Sequence, residues 1–255
     1  GSLAHAAEMC NNNGHCRKFD ADVMCPSYRV TRDEQHSTRG RANTLRLALS
    51  GQLGADAMAS DAMRESFALC VSCKGCKREC PTGVDMAKMK IEYLHQHQQR
   101  HGLSTKDKLI AYLPRYAPYA AKFSRLLNLR DAIPRLAQWS EEKLGFSARR
   151  PLPKWRPDYF RVNQSRSDPA NGGRDVALFV DTFTTYFEPE NARSALRVLR
   201  AAHYNIHLPR AASSSRPLCC GRTFLSVGLV DEAKKEAQRL VTAMLYPYTD
   251  QPESA

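Results

Sequence analysis

The stretch that most constrains this chain is Cys70-Val-Ser-Cys73-Lys-Gly-Cys76-Lys-Arg-Glu-Cys80-Pro81, which reads C-x2-C-x2-C-x3-C-P. Thiols at this spacing are the ligand run of a bacterial-type iron–sulfur protein, set to wrap a cubane cluster. The closing proline has no N–H to donate, so the turn bearing the last cysteines stops there rather than continuing as helix. A structural zinc site is the alternative. Zinc prefers two separated C-x2-C pairs, not a three-plus-one run closed by proline.

A second group precedes this run: Cys10-Asn-Asn-Asn-Gly-His-Cys16, then Cys25-Pro26. Cys10 and Cys16 are six positions apart, as are Cys70 and Cys76, and both groups end in Cys-Pro. The first group therefore reads as a copy of the second with Asn13 in place of the middle cysteine. Its last loop is longer, nine positions from Cys16 to Cys25 against four from Cys76 to Cys80. In two-cluster ferredoxins the fourth cysteine of each run ligates the other cluster. Applied here, Cys70, Cys73, Cys76 and Cys25 form one complete ligand set. Cys10, Cys16 and Cys80 form a second, with Asn13 at its vacant position. An amide oxygen is a poor, hard ligand beside thiolates. The expectation is one 4Fe–4S cluster and a second that is three-iron, a labile four-iron cluster, or absent. Free thiols at Cys10, Cys16 and Cys25 are the other reading.

Seven of the nine cysteines lie before residue 81 in a chain of 255 residues. That is not a disulfide scaffold, so metal ligation in a reducing cytosol is favoured. Gly1-Ser2 reads as an expression scar, and neither a signal-peptide pattern nor an apolar run long enough to span a bilayer is present. The net charge is +12, with at least thirteen Lys and Arg between Lys106 and Arg166. Such a charge steers toward an acidic partner or an anionic membrane surface, or simply coats a solvated helical face. No recognition motif or aromatic-interleaved basic stripe points to nucleic acid.

Along the chain, Thr31 with Glu34 resembles a capping box, and a helix follows to a stop near Gly51. His36 reads as a helix-start hydrogen-bonding residue. Arg39 and Arg41 are candidates to tune a cluster by donating to its sulfurs, or are ordinary surface arginines. Ser60 caps a short helix into Cys70. Val84 to Arg100 reads as one helix with Met86, Met89 and Tyr93 on its apolar side, and His95, His97 and His101 facing solvent. Pro114, Pro118 and Pro134 divide a basic helical stretch whose apolar stripes include Phe123, Leu126, Leu127, Leu129, Ile133, Leu136 and Trp139. Asn163 to Arg174 reads as a linker. Beyond it, strand 176–180, helix 189–202 and strand 205–209 suggest a right-handed βαβ unit. Cys219-Cys220 is read at the carboxyl end of a strand, where α/β sheets bind ligands, as a metal or redox pair or as buried apolar cysteine. A helix covers roughly Asp231 to Leu245, and a polar tail follows Pro247.

Met24-Cys-Pro-Ser-Tyr28, His36-Ser-Thr-Arg-Gly-Arg-Ala-Asn43, the Cys70–Cys80 run and Val84-Asp-Met-Ala-Lys88 resemble the iron–sulfur region of FAD-linked D-2-hydroxyacid dehydrogenases, of the type acting on D-lactate or D-2-hydroxyglutarate. Asp175 to Leu245, with Cys219-Cys-Gly221, resembles the first half of a cysteine-rich CCG domain. Such domains also occur in heterodisulfide reductase and in the iron–sulfur subunits of glycolate and glycerol-3-phosphate oxidation. The resemblance implies a mixed α and α/β architecture. An all-helical two-cluster ferredoxin-like domain (3–102) is followed by a basic helical connector and linker (103–174), a partial CCG α/β domain (175–248) and a tail (249–255). The family's flavin and substrate domains would precede residue 1, so FAD belongs to another domain or subunit. Where relatives carry an upstream cysteine, this chain has Asp181-Thr-Phe183.

The implied function is an electron-transfer module that receives electrons from reduced flavin on a flavoprotein partner and passes them to a quinone or carrier. It is not expected to be catalytic alone. It is placed in the cytoplasm, with peripheral contact on the inner face of the membrane as a corollary of the charge. The alternatives are a zinc-stabilised interaction module, a truncated non-catalytic remnant, or a thiol redox enzyme using Cys219-Cys220. Nothing in the sequence visibly lowers the pKa of that pair.

Overall fold

The computed structural model describes residues 2–19, 23–162, 173–210 and 216–249. The chain forms two compact units, Gly1–Gly102 and Leu103–Ala255.

In the first unit, side-chain caps set where helices begin. Ser37 accepts from the Gly40 N–H at 2.9 Å and starts α3, Thr38–Leu49. Ser60 accepts from Met63 N and starts α4, Asp61–Ala68. Asp85 accepts from Lys88 N and starts α6, Met86–His101. Each cap satisfies an amide that the first turn leaves orphaned. Around these lie α1 (Leu3–Glu8), α2 (Pro26–Thr31) and α5 (Gly75–Glu79). Gly40 lets α3 lie against the turn before it, because a Cβ there would fall 1.9 Å from the Glu34 carbonyl oxygen. The core is Leu45, Met63, Phe67, Met86, Met89 and Tyr93, with Cys10, Cys16, Cys25 and Cys76 buried in the same cluster. Burying each large apolar side chain contributes about 1.5–3 kcal/mol. Phe67 and Tyr93 stack at 4.9 Å, tying α4 to α6.

Two local readings are corrected here. Thr31 ends α2 instead of capping a later helix: Arg32 takes the left-handed conformation, and Asp33 caps the 3-10 turn Glu34–His36. His95 and His97 are half-buried, and the His97 ring lies 5.7 Å from Tyr93 and 4.6 Å from His101.

The second unit opens with α7 (Thr105–Ala111), α8 (Leu113–Ala120), α9 (Ser124–Ala132) and α10 (Pro134–Leu144). Pro114 and Pro134 sit in first turns, where a missing N–H costs nothing. Pro118 lies inside α8 rather than dividing it. Only one backbone bond is forfeited there, and buried Ala117 and Ala121 hold the segment in place. Strands β1 (Asp175–Ala177) and β2 (Asn205–His207) pair in parallel with Val176 opposite Ile206. Between them run α11 (Thr182–Tyr186), which sequence pattern did not signal, and α12 (Pro189–Ala201). Two strands alone are marginal. They are covered by Ala192 and Leu196 of α12 together with Phe160, which all join one core. Ala117 and Ala121 pack with Tyr186 in another, and Ala111 packs with Phe224, Val227 and Ala233 in a third. The helices of 105–121 thus share cores with α11, α13 (Arg222–Leu225) and α14 (Val230–Thr249).

Residues 217–220 pair with no strand, so Cys219-Cys220 lies in an extended loop before α13 and not at a strand end. The stripe from Phe123 to Trp139 faces solvent instead of a core. Most of the segment read as a linker, 163–172, lies outside the described residues, as does the tail from 250 onward. No helix among the described residues is long and apolar enough to cross a membrane.

Candidate metal centre

The two cysteine groups share a backbone. Two positions after Cys70, Ser72 has φ 54°, and four positions after, Lys74 has φ 61°. In the first group Asn12 has φ 62° and Gly14 has φ 75°. Each group then enters a short helical turn, His15–Arg17 in the first and α5 in the second, through that second left-handed residue. Left-handed non-glycine residues are uncommon, so a matched pair at equal spacing identifies one loop built twice. Asn13 stands where Cys73 stands. Even the local bond is kept: Gly75 N–H donates to Cys73 Sγ at 3.5 Å, and His15 N–H donates to Asn13 Oδ1 at 2.8 Å.

Cys25, Cys70, Cys73 and Cys76 line one cavity, together with Thr38, Arg41 and Met86. Cys25 is held there by the other group. The Glu79 carboxylate accepts from Val23 N at 3.1 Å and Met24 N at 2.6 Å, while Arg29 Nε donates to Met24 O at 3.0 Å. Around the Cys25 sulfur lie the His36 carbonyl at 3.3 Å, Thr38 Oγ1 at 3.7 Å and Arg41 Nη1 at 3.7 Å. Lys90 Nζ donates to the Cys70 carbonyl at 2.6 Å. Glu79, Thr38 and Lys90 were not singled out in sequence. The only signal for Glu79 was a carboxylate placed directly among the thiols.

Among the described residues no three His, Cys, Asp or Glu side chains converge as a mononuclear ion requires. Four thiols ring a cavity instead. A cubane suits that layout, because each thiolate binds its own iron. The donor set is all thiolate, which matches iron–sulfur chemistry.

Arg41 is 1% exposed. Its guanidinium donates to the Ser66 carbonyl at 2.6 Å, to Ser27 Oγ at 3.0 Å and toward Cys25 Sγ. No carboxylate pairs with it among the described residues. A buried charge normally carries a counterion. Glu236 in the second unit, equally buried, has Arg216 at 2.7 Å and Arg239 at 2.6 Å. Arg39 is different. It binds Glu34 at 2.7 Å and lies within electrostatic reach of Cys16 and Cys10. Partial burial raises the Glu34 carboxyl, but hydrogen bonds from Arg39 and Ser37 outweigh it and hold the group below its usual range.

Of the remaining cysteines, Cys10 and Cys16 are buried and Cys80 is half-buried. Burial pushes the Cys16 thiol up, against hydrogen bonds from Arg39 N–H and Ser37. Burial likewise raises Cys76. Cys80 is held below the usual thiol value: burial opposes this, but the Thr82 hydroxyl at 3.2 Å and the amides of Val84, Thr82 and Gly83 win. Asn13 is exposed.

In the second unit Cys219 is buried and Cys220 exposed. A hydrogen bond from the Cys219 thiol pulls Cys220 down to about 6, against burial and with help from Arg222 N–H. The same bond, then burial, raises Cys219. The sequence shows no such influence; the folded loop supplies it.

Residues 6–84 match the 4Fe-4S dicluster domain family. The chain is 26% identical over 255 residues to D-2-hydroxyglutarate dehydrogenase of Pseudomonas putida, covering 84% of this chain and 25% of that protein. It is 24% identical over 235 residues to D-2-hydroxyglutarate dehydrogenase of Escherichia coli, covering 74% and 23%. It is also 24% identical over 136 residues to one of the subunits of the anaerobic glycerol-3-phosphate dehydrogenase of Escherichia coli, covering 52% and 33%. The chain thus spans a quarter or less of the D-2-hydroxyglutarate dehydrogenases it matches and a third of the glycerol-3-phosphate dehydrogenase subunit. No solved structure matches it.

Proposed function

We infer that this chain, whose residues 6–84 match the 4Fe-4S dicluster domain family, is the iron–sulfur electron-transfer part of a larger FAD-linked D-2-hydroxyacid dehydrogenase. A 4Fe–4S cluster supplies one-electron chemistry, while flavin and substrate sites belong to another domain or subunit, and a quinone or soluble carrier takes the electrons. The observation that carries this reading is the cavity ringed by Cys70, Cys73, Cys76 and, from the first copy, Cys25.

The residues have separate jobs. Those four thiolates hold iron, with Cys25 fixed by the Glu79 clamp on Val23 and Met24. Buried Arg41 supplies the positive charge that a thiolate-bound cluster needs in a dry site, and Thr38 directs a hydroxyl to the Cys25 sulfur. Cys10, Cys16 and Cys80 are the ligands of a second, incomplete position, with Asn13 where a fourth thiolate would be. That position takes a three-iron or labile four-iron cluster, or none. Arg39 serves this second position. Cys219-Cys220 stands apart as a thiol pair. A quinone acceptor would bring the chain to the inner surface of a bilayer.

Iron and acid-labile sulfide, measured on anaerobically purified chain, test the assignment. Iron and sulfide in equal or nearly equal amounts, with colour bleached by dithionite, are expected. Zinc without iron overturns it. D-2-hydroxyglutarate should not bleach the chain until the flavin-bearing part is added.

A further inference from the structure

Helices α9 and α10 each expose an apolar face edged by arginine. On α9, Leu126 and Leu129 lie at i and i+3 and share one side, with Arg125 at its edge; Ile133, exposed and extended, joins α9 to α10. On α10, Leu136 and Trp139 repeat the spacing, with the cations Arg135 and Lys143 beside them. Leu126 is 65% exposed, Trp139 53%, and Phe123, one turn before Leu126, 62%. Soluble helices turn such stripes inward. These turn out, and each inner face is made of small residues, Ser124 on α9 and Ala137 and Ser140 on α10.

Cations without acidic partners edge the stripe. Among the described residues Arg125, Arg135 and Lys143 form no ion pair, and Lys122 only covers the Tyr119 ring at 5.8 Å. A nearby arginine that is paired, Arg130, is turned to Asp131 and to the Phe146 and Ser147 carbonyls. A cleft opens beside the stripe. Phe123, Leu126 and Tyr159 line it together with Lys122, Arg125 and Arg161, and no carboxylate does.

We propose that the α9–α10 face and its cationic cleft dock the chain on an anionic lipid bilayer. The apolar side chains enter the headgroup–acyl boundary, and the cations at their edges meet lipid phosphates. Apolar residues with aromatics on one face and Lys and Arg along its edges are the composition of interfacial helices, and clustered cations add attraction to anionic leaflets. Long cationic stems reach past apolar contacts to a charged surface. A cleft in which Lys122 and Arg125 stand without ion pairs among the described residues suits phosphodiester anions above a hydrocarbon wall. This goes beyond the iron–sulfur reading and gives the bilayer contact suggested by a quinone acceptor a surface of its own, and it does not depend on the cluster, because the cysteine cavity is lined by other residues.

Flotation of the 255-residue chain with vesicles tests the docking, using phosphatidylcholine alone or mixed with phosphatidylglycerol, on metal-free and cluster-loaded protein alike. Both forms should float with the anionic vesicles, release as salt rises, and stay behind with neutral ones. Arg125→Gln and Arg135→Gln should each weaken partitioning about fivefold. Leu126→Ser with Leu136→Ser should abolish it while leaving the thermal melt unchanged, since both side chains are exposed. No flotation overturns the proposal, as does equal flotation on neutral vesicles, indifference to these variants, or association only with the flavin-bearing protein. Loss of binding in the metal-free form alone would tie the surface to the cluster and overturn its independence, without touching the iron assignment.

Discussion

The loops 10–16 and 70–76 have one backbone and two chemistries. Their left-handed residues fall at the same spacing, and the same amide bond is made to the middle side chain. Only one of them presents a thiol there. The conformation of the loop therefore does not depend on the ligand it carries: an amide oxygen satisfies the turn as well as a thiolate does. What Asn13 forgoes is soft donation to iron. The two copies also close differently. Pro81 opens a tight turn, Gly83 N–H to Cys80 O at 2.8 Å, whereas Pro26 opens helix α2. The longer excursion of the first copy lets Cys25 cross to the cavity of the second. The Glu79 clamp makes that crossing specific.

The sharpest way to break this comparison is to remove one thiol from each copy. Cys76→Ser should remove the iron of the complete ring, leaving at most that of the second position. Cys16→Ser should leave the iron of that ring in place. Equal loss in both, by colorimetric iron assay, would mean that the copies contribute alike. The next test restores symmetry. Asn13→Cys should raise iron by up to about four atoms per chain if the vacancy alone limits the second position. It should also add a second reducible species in electron paramagnetic resonance. No gain would show that Cys10, Cys16 and Cys80 do not face one another as the repeat implies.

Much of this was legible in sequence, and the reasons are physical. Cysteine spacing, Cys-Pro and the residue-13 substitution are discrete signals. So is Ser60, whose cap acts over three residues. What sequence hid depends on distant contacts. Thr31 and Glu34 fit a capping box, yet the chain turned left-handed at Arg32 first. The Phe123–Trp139 stripe has core periodicity, but periodicity does not say whether a partner exists, and none within the described chain covers it. Cys219-Cys220 lacks the strand assigned to it because residues 217–220 find no pairing partner. Arg39 and Arg41 are indistinguishable by composition. Burial separates them, leaving Arg41 beside the Cys25 sulfur and Arg39 on Glu34.

That separation gives the third test. Replacing a buried cation by a neutral side chain destabilises the more negative, reduced cluster. Arg41→Gln should lower the midpoint potential by on the order of 60 mV, a tenfold change in a one-electron equilibrium. Arg39→Gln, with its charge already balanced by Glu34, should move it by less than a third of that. Potentiometric titration followed by electron paramagnetic resonance reads both. Equal shifts would place the two arginines at equal electrostatic distance and undo the contrast.

The smallest expected effect concerns the hydroxyl two places after each closing cysteine. Thr82 Oγ1 lies 3.2 Å from Cys80 Sγ, and Ser27 Oγ lies 3.8 Å from Cys25 Sγ. Ser27 is committed elsewhere, donating to the His36 carbonyl at 2.8 Å and accepting from Arg41. In the second copy the hydroxyl is left to the sulfur. Cys80 is held below the usual value by that bond and by amides of Thr82, Gly83 and Val84. Deleting the hydroxyl leaves the amides and the opposing burial, so the pKa moves up and less thiolate exists at any given pH. In metal-free chain, Thr82→Val should therefore slow alkylation of Cys80 at neutral pH roughly threefold, about the effect of one modest hydrogen bond. The rate–pH curve should move to higher pH. Ser27→Ala should leave Cys25 alkylation within the error of a peptide-resolved mass-spectrometric assay. Slowing at both cysteines would make the two hydroxyls equivalent, and the copies would then differ only at residue 13.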